Sequence, residues 1–159
     1  NKHDVLLVIL DNGTTAMTGH QPNPGVCTSV LGEGCNHLDI ESVVRGIGVT
    51  DVAKVKPFNM RGTLKTIEEM KARSGVRVII AEEPCMLFAR RTLKQNRPQV
   101  AEVATQGEEA LKCLAELACP AFRRGGTAEA PVVSVDESQC SGCMVCLQVT
   151  PAIRARKRS

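Results

Sequence analysis

The chain has 159 residues, room for one domain or two small ones. It carries 20 basic and 17 acidic residues, and aromatics make up only 2% with no Trp or Tyr, which argues against a nucleic-acid surface or a base-stacking platform. No apolar run approaches the roughly 20 residues of a membrane span, and eight cysteines without a secretion signal point to metal or redox chemistry before disulfides, with the cytoplasm as the expected compartment.

The first element is an apolar run, Val5 to Leu10, without polar alternation. With Asp4 it is expected as a strand buried on both faces of a parallel sheet. It lacks the basic leader and small-residue cleavage site of a signal peptide. Opening without Met just before such a strand, the chain reads as a piece of a longer protein. The run stops at Asp11-Asn12-Gly13, and a polar loop rich in Thr, Gly and Pro extends to about Leu38. Connections usually take roughly 4–6 residues, and far longer ones are functional or disordered. In parallel sheets the loops leaving the carboxyl ends of strands hold ligands. Asn-Gly is equally a common turn pair, so residue types alone leave both readings open.

Ile40, Val43, Val44 and Ile47 recur at helical spacing, with Asp39 as cap and Gly46 and Gly48 as stops. A second strand is expected over Val52 to Phe58. Thr63 opens a second helix with Leu64, Ile67 and Met70 on one face, closed by Gly75. Val76 to Ala81 is a third apolar strand, and the alternation predicts a parallel, right-handed α/β sheet. Cys85 reads as a small buried hydrophobe at a strand end. Over Ala89 to Ala104, Arg90, Arg91, Lys94, Arg97 and Pro98 read as a solvated linker, with docking of an acidic electron carrier as the alternative. Thr105 to Ala118 is expected as a helix. Thr105 and Glu108 would form its capping box, and Leu111, Leu114, Ala115 and Ala118 its apolar face. The basic tail, Arg154 to Ser159, reads as frayed and solvated, with steering of an acidic partner as the alternative.

Asp11, Asn12, Thr14, Thr15, Ala16, Met17, Thr18, Gly19, His20 and Gln21 run in order, followed by Pro22, Pro24 and Gly25. This stretch resembles the thiamine-diphosphate loop of the alpha subunit of indolepyruvate:ferredoxin oxidoreductase, and Ala81-Glu82-Glu83-Pro84-Cys85 resembles the end of the cofactor domain in that family. The resemblance implies thiamine diphosphate held through Mg2+, an ion that takes six hard oxygens. Asn12 would give its side-chain oxygen and Thr14 its carbonyl. The completing Asp is implied upstream of residue 1, with Asp11 as a turn-stabilising neighbour. Thr15, Ala16 and Met17 would line the diphosphate and thiazolium, with backbone amides toward the anion. His20 stays open between facing substrate and a structural hydrogen bond. The implied reaction is oxidative decarboxylation of an aryl 2-oxoacid to a coenzyme A ester, electrons leaving to ferredoxin. A beta-type subunit is implied as partner, with neither nucleic acid nor membrane. The activating glutamate is implied on another domain, so no acid–base residue is assigned here.

Cys140-Ser-Gly-Cys143-Met-Val-Cys146 has the C-x-x-C-x-x-C spacing of bacterial ferredoxins. Three thiolates on a tight turn grip three corners of a cubane cluster, and Gly142 lets the backbone curl around it. Zinc favours separated pairs and stays, with a disulfide, as the alternative. A ferredoxin half ends in x3-Cys-Pro, but here Thr150-Pro151 stands in that place. In two-cluster ferredoxins the fourth Cys of each half ligates the other half's cluster, so Cys119-Pro120 is expected to supply the missing ligand. Family spacing would put three more cysteines where the chain has Gly107, Ala110 and Cys113. The expectation is one [4Fe–4S] cluster on Cys119, Cys140, Cys143 and Cys146. Cys113 becomes a buried relic thiol, and the helix after Thr105 replaces the loop of the lost cluster.

The fold expected is α/β. Residues 1–88 form the end of a parallel-sheet thiamine-diphosphate-binding domain, 89–104 a linker and 105–159 a small α+β ferredoxin-like domain. The alternatives are a related 2-oxoacid:ferredoxin oxidoreductase, a non-catalytic electron-transfer module, and an α/β domain with a zinc-stabilised tail.

Overall fold

The computed structural model describes residues 3–21, 23–26, 38–91 and 97–158, without the side chains of Arg90 and Arg91. Cys27, Cys35 and Lys94 lie outside the described residues. The chain divides into two compact units, Asn1–Gln95 and Asn96–Ser159.

In the first unit β1 (Val5–Asp11), β2 (Asp51–Val55) and β3 (Val76–Glu82) form a parallel sheet in the order β1-β3-β2. The central strand β3 has period-two burial on both faces. Val78 and Ile80 pack with Val44 of α1 (Ile40–Gly46), while Ile79 and Ala81 pack with Met70 of α2 (Met60–Lys71). That is the double-faced burial expected of a strand in a parallel sheet covered by helices. β1 departs from the expectation. Among the described residues it pairs only with β3, and Val5, Leu7, Val8 and Leu10 are exposed, Leu10 at 79%. Its apolar sequence matches that of β3, but its edge position leaves that surface uncovered.

Helix starts follow local caps. The Asp39 carboxylate accepts the Ser42 amide at 2.9 Å, so α1 begins at Ile40 as the pattern predicts. α2 begins at Met60, three residues before the expected Thr63, because the Asn59 side chain accepts the Gly62 amide at 3.2 Å. Thr63 sits inside the first turn, its hydroxyl donating to the Lys56 carbonyl. β2 stops at Val55 rather than Phe58, since the chain turns there with the Asn59 amide donating to the Lys56 carbonyl at 2.8 Å. A short helix, α3 (Met86–Arg91), closes this unit's described part.

The second unit repeats strand–helix–strand twice: β4 (Gln99–Val103), α4 (Glu108–Glu116), β5 (Phe122–Gly126), then β6 (Pro131–Val135), α5 (Cys146–Val149), β7 (Ile153–Lys157). The outer strands β4 and β7 pair antiparallel, as do the inner β5 and β6. Val100, Ala110, Cys113 and Val133 are buried at its centre.

Three expectations are corrected here. The stretch expected as linker contains β4, so this unit begins earlier than residue 105. The tail expected to be frayed is β7: Ile153 is buried opposite Val103, and Arg154 pairs with Glu102 at 2.7 Å on the neighbouring strand. The capping box of Thr105 and Glu108 does not form. Gly107, at φ 112°, caps α4, while the Thr105 amide donates to the Ala152 carbonyl. The Gln106 side chain meanwhile bonds both the amide and the carbonyl of Val133. No helix among the described residues is long and apolar enough to cross a membrane.

Candidate functional site

Two regions carry the predicted residues, one in each unit. In the first, the backbone leaves β1 and turns through two side-chain–amide closures. Asp11 Oδ1 accepts the Gly13 amide at 3.0 Å, and Asn12 Oδ1 accepts the Thr14 amide at 3.1 Å. Gly13 sits at φ 68°, in the left-handed region. The carbonyls of Asp11 and Asn12 extend the sheet ladder, taking the amides of Glu83 and Cys85. These bonds fix the loop against the end of β3. Thr14 is buried, and its carbonyl accepts no backbone hydrogen bond among the described residues. Asn12 Oδ1 keeps a second lone pair beyond its bond to Thr14. Two oxygens with spare capacity on one rigid turn suit a hard cation such as Mg2+.

Thr15 and Gln21 bridge the two sides of the loop, with a single 3-10 turn over Ala16–Thr18 at its tip. Met17 is fully exposed there. Thr15 Oγ1 accepts the Asn23 side-chain amide, and the Thr18 hydroxyl donates to Gln21. His20 stacks on Phe88 with ring centroids 5.6 Å apart, and its Nε2 lies 3.8 Å from Cys85 Sγ. Thus Cys85, expected as a plain buried hydrophobe, is half-buried and has an imidazole neighbour. A cavity of about 270 Å³ opens at the carboxyl ends of the strands, lined by Asp11, Gly13, Gly25, Lys56, Glu82 and Glu83. Asn12, Thr14, Thr15, Ala16, Met17 and His20 lie outside its lining.

In the second unit Cys119, Cys140, Cys143 and Cys146 all line one cavity of about 140 Å³, with apolar walls that include Ala101 and Phe122. They arrive from two loops. Cys119 follows α4 just after Ala118, which sits at φ 44°. The other three lie on the turn into α5, where Gly142 and Met144 sit at φ 73° and φ 60°. Left-handed residues beside Cys119 and on both sides of Cys143 wrap the backbone around the cavity. The amides of Gly142 and Cys143 find no backbone acceptor among the described residues, although Gly142 is buried. Buried amides rarely stay unpaired. The Ala101 amide donates to Cys140 Sγ at 3.5 Å. Donors turned toward sulfur are what an iron–sulfur group uses to spread its charge.

Burial, and then the neighbouring thiols Cys113, Cys143, Cys140 and Cys119, push the Cys146 thiol up to about 12. Burial, then Cys119 and Glu116, raise Cys113 to about 11. A thiol buried as Cys146 is resists ionising until a metal supplies the counter-charge. Among the described residues no three His, Cys, Asp or Glu side chains converge on a single-ion centre. The four cysteines share the lining of one cavity, and in an iron–sulfur group each thiolate would meet its own iron.

Cys113 is fully buried beside this cavity and outside its lining. Thr150 is buried too, its hydroxyl donating to Glu109 at 3.1 Å and accepting the Ala152 amide at 3.2 Å. The positions where a second ligand set would lie are therefore filled by α4 and its packing. Sequence reasoning missed the Ala101 amide and Arg158, whose guanidinium donates to the Cys140 carbonyl at 2.7 Å. No residue-type signal marks either of them.

Residues 1–81 match the thiamine pyrophosphate enzyme C-terminal TPP-binding domain. The chain is also similar to proteins named indolepyruvate oxidoreductase subunit IorA. Identity is 40% to that of Methanothermobacter thermautotrophicus, over 96% of this chain and 24% of the relative. It is 38% to that of Archaeoglobus fulgidus, over 95% of this chain and 24% of the relative. It is 35% to that of Thermococcus kodakarensis, over 95% of this chain and 23% of the relative. The chain thus spans about a quarter of the length of these curated relatives. No solved structure matches it.

Proposed function

We infer the function from the family: the chain belongs to the thiamine pyrophosphate enzymes, residues 1–81 forming their C-terminal TPP-binding domain. Its likeness to oxidoreductase subunits supports reading it as part of a thiamine-diphosphate-dependent 2-oxoacid oxidoreductase. We propose, more finely, oxidative decarboxylation of aryl 2-oxoacids of the indolepyruvate type to coenzyme A esters, in the cytoplasm. Electrons would leave through one [4Fe–4S] cluster to ferredoxin, with a beta-type subunit completing the enzyme. The observation that carries this reading is that Cys119, Cys140, Cys143 and Cys146 line one cavity in a chain whose other unit is a TPP-binding domain.

When bound, thiamine diphosphate supplies the decarboxylation chemistry, Mg2+ the counter-charge for its diphosphate and the cluster one-electron transfer. This chain's residues do the holding. Asn12 Oδ1 and the Thr14 carbonyl would face Mg2+ from a turn locked by Asp11 and the end of β3. Thr15, Ala16 and Met17 would present the loop tip to the cofactor, and His20, fixed by Phe88, would border it. Cys119, Cys140, Cys143 and Cys146 would hold the cluster, with Ala101 and Phe122 excluding water.

The test uses the assembled enzyme carrying this chain. Indolepyruvate with coenzyme A is expected to reduce ferredoxin, and to do so faster than pyruvate. Asn12→Ala should weaken Mg2+-dependent thiamine diphosphate binding by about tenfold or more, since one of six oxygen ligands is lost. Equal rates with pyruvate would overturn the substrate assignment. Unchanged cofactor affinity in Asn12→Ala would overturn the ligand assignment.

A further inference from the structure

We propose that Arg158 is a positioning residue for the iron–sulfur cluster: its guanidinium fixes the backbone of the ligand Cys140 and adds a fixed positive charge that makes the cluster easier to reduce. The proposal rests on the cluster reading above and extends it to a residue outside the cysteine motif.

The geometry is specific. The Arg158 amide donates to the Pro98 carbonyl at 2.8 Å, carrying the β4–β7 pairing one step past Lys157. From that anchor the side chain reaches three further carbonyls. Nε donates to Arg97 at 3.3 Å, Nη1 to Glu137 at 3.2 Å and Nη2 to Cys140 at 2.7 Å. The fork thus ties the approach to β4, the turn after β6 and the first ligand of the cysteine run into one knot. Only a planar guanidinium with several fixed donors spans such a set.

Cys140 is held at three points: its amide by the Asp136 carbonyl, its carbonyl by Arg158 and its sulfur by the Ala101 amide. Gly142, two residues on, packs directly against Gln99 and Arg97, the latter also an Arg158 partner.

The charge matters as much as the fork. Arg154 pairs with Glu102, and Arg156 with Glu137. Arg158 has no carboxylate partner among the described residues, since its acceptors are neutral carbonyls. A cluster on four thiolates is anionic and gains one more negative charge on reduction. A nearby uncancelled cation favours the reduced state, and more so where water is excluded.

The experiment is a redox titration of the full chain after anaerobic purification, followed by visible absorption and electron paramagnetic resonance, with iron counted for each variant. Arg158→Gln is expected to keep its iron and lower the equilibrium constant for reduction by about tenfold, or about 59 mV for one electron. The double variant Arg154→Gln/Glu102→Gln, which removes a balanced pair and no net charge, should leave the potential unchanged. Arg158→Lys keeps the charge without the fork and should recover more than half of the shift. If Arg158→Gln loads no iron, Arg158→Lys carries the test and must load it with a potential near that of the parent. Iron-loaded Arg158→Gln with an unchanged potential would overturn the proposal while leaving the cluster reading intact. A parent chain without iron would overturn both.

Discussion

Gly142 admits no side chain. A Cβ there would stand 2.6 Å from the Gln99 carbonyl oxygen and 2.8 Å from Arg97 Cβ, on a backbone at φ 73°. Gly142→Ala is expected to cost about 1–3 kcal/mol and to lower iron loading, because the loop must shift away from β4. Gly46→Ala, which meets nothing within 4 Å, should leave thermal unfolding nearly unchanged. A second residue-scale prediction concerns pH. Asp39 is pulled from 3.8 to about 2, first by the Ser42 hydroxyl and then by its amide, with Lys54 assisting. The folded carboxyl is more acidic than the unfolded one, so its capping contribution is complete above about pH 4 and fades as pH falls toward 2. A nuclear magnetic resonance titration of Asp39 should show that low midpoint, and Asp39→Asn should remove this pH dependence from α1. Asp39 was legible in sequence because a cap acts within one turn of helix. Arg158 was not, because the carbonyls that make it specific come from residues 18 to 61 positions away.

At the scale of elements, β1 and β3 have nearly the same apolar composition and opposite surroundings. Ile80 is fully buried, whereas Leu10 is 79% exposed. Ile80→Ala should cost about 2–5 kcal/mol in chemical denaturation, and Leu10→Ala less than about 0.5 kcal/mol. A large loss from Leu10→Ala would mean that this edge is covered in solution. The order strand–helix–strand–helix–strand was readable from periodicity, since every element of it is local. Which strand is central was not, because neighbours decide it and composition does not. β4 and β7 escaped notice for a related reason. Their residues, Gln99–Val103 and Ile153–Lys157, carry charges on the outer face that read as solvated linker and tail. What makes them strands is pairing across some 50 residues, with Glu102 opposite Arg154 and Val103 opposite Ile153.

For the whole molecule, the sequence made legible a TPP-binding unit followed by a unit whose cysteines meet. The long run from Asp11 to Gln21 is contiguous, so its likeness could be read directly. The cysteine spacing was equally plain, since three of the four thiols lie within seven residues. Folding brings Cys119 to them from across β5 and β6, which spacing alone could only suggest. The most direct test is iron, sulfide and zinc per chain after anaerobic purification, with electron paramagnetic resonance on the reduced protein. The account predicts about four irons and a single [4Fe–4S] signal, both lost in Cys119→Ser. Near eight irons would contradict the single-cluster assignment, and zinc without iron would contradict the electron-transfer role altogether.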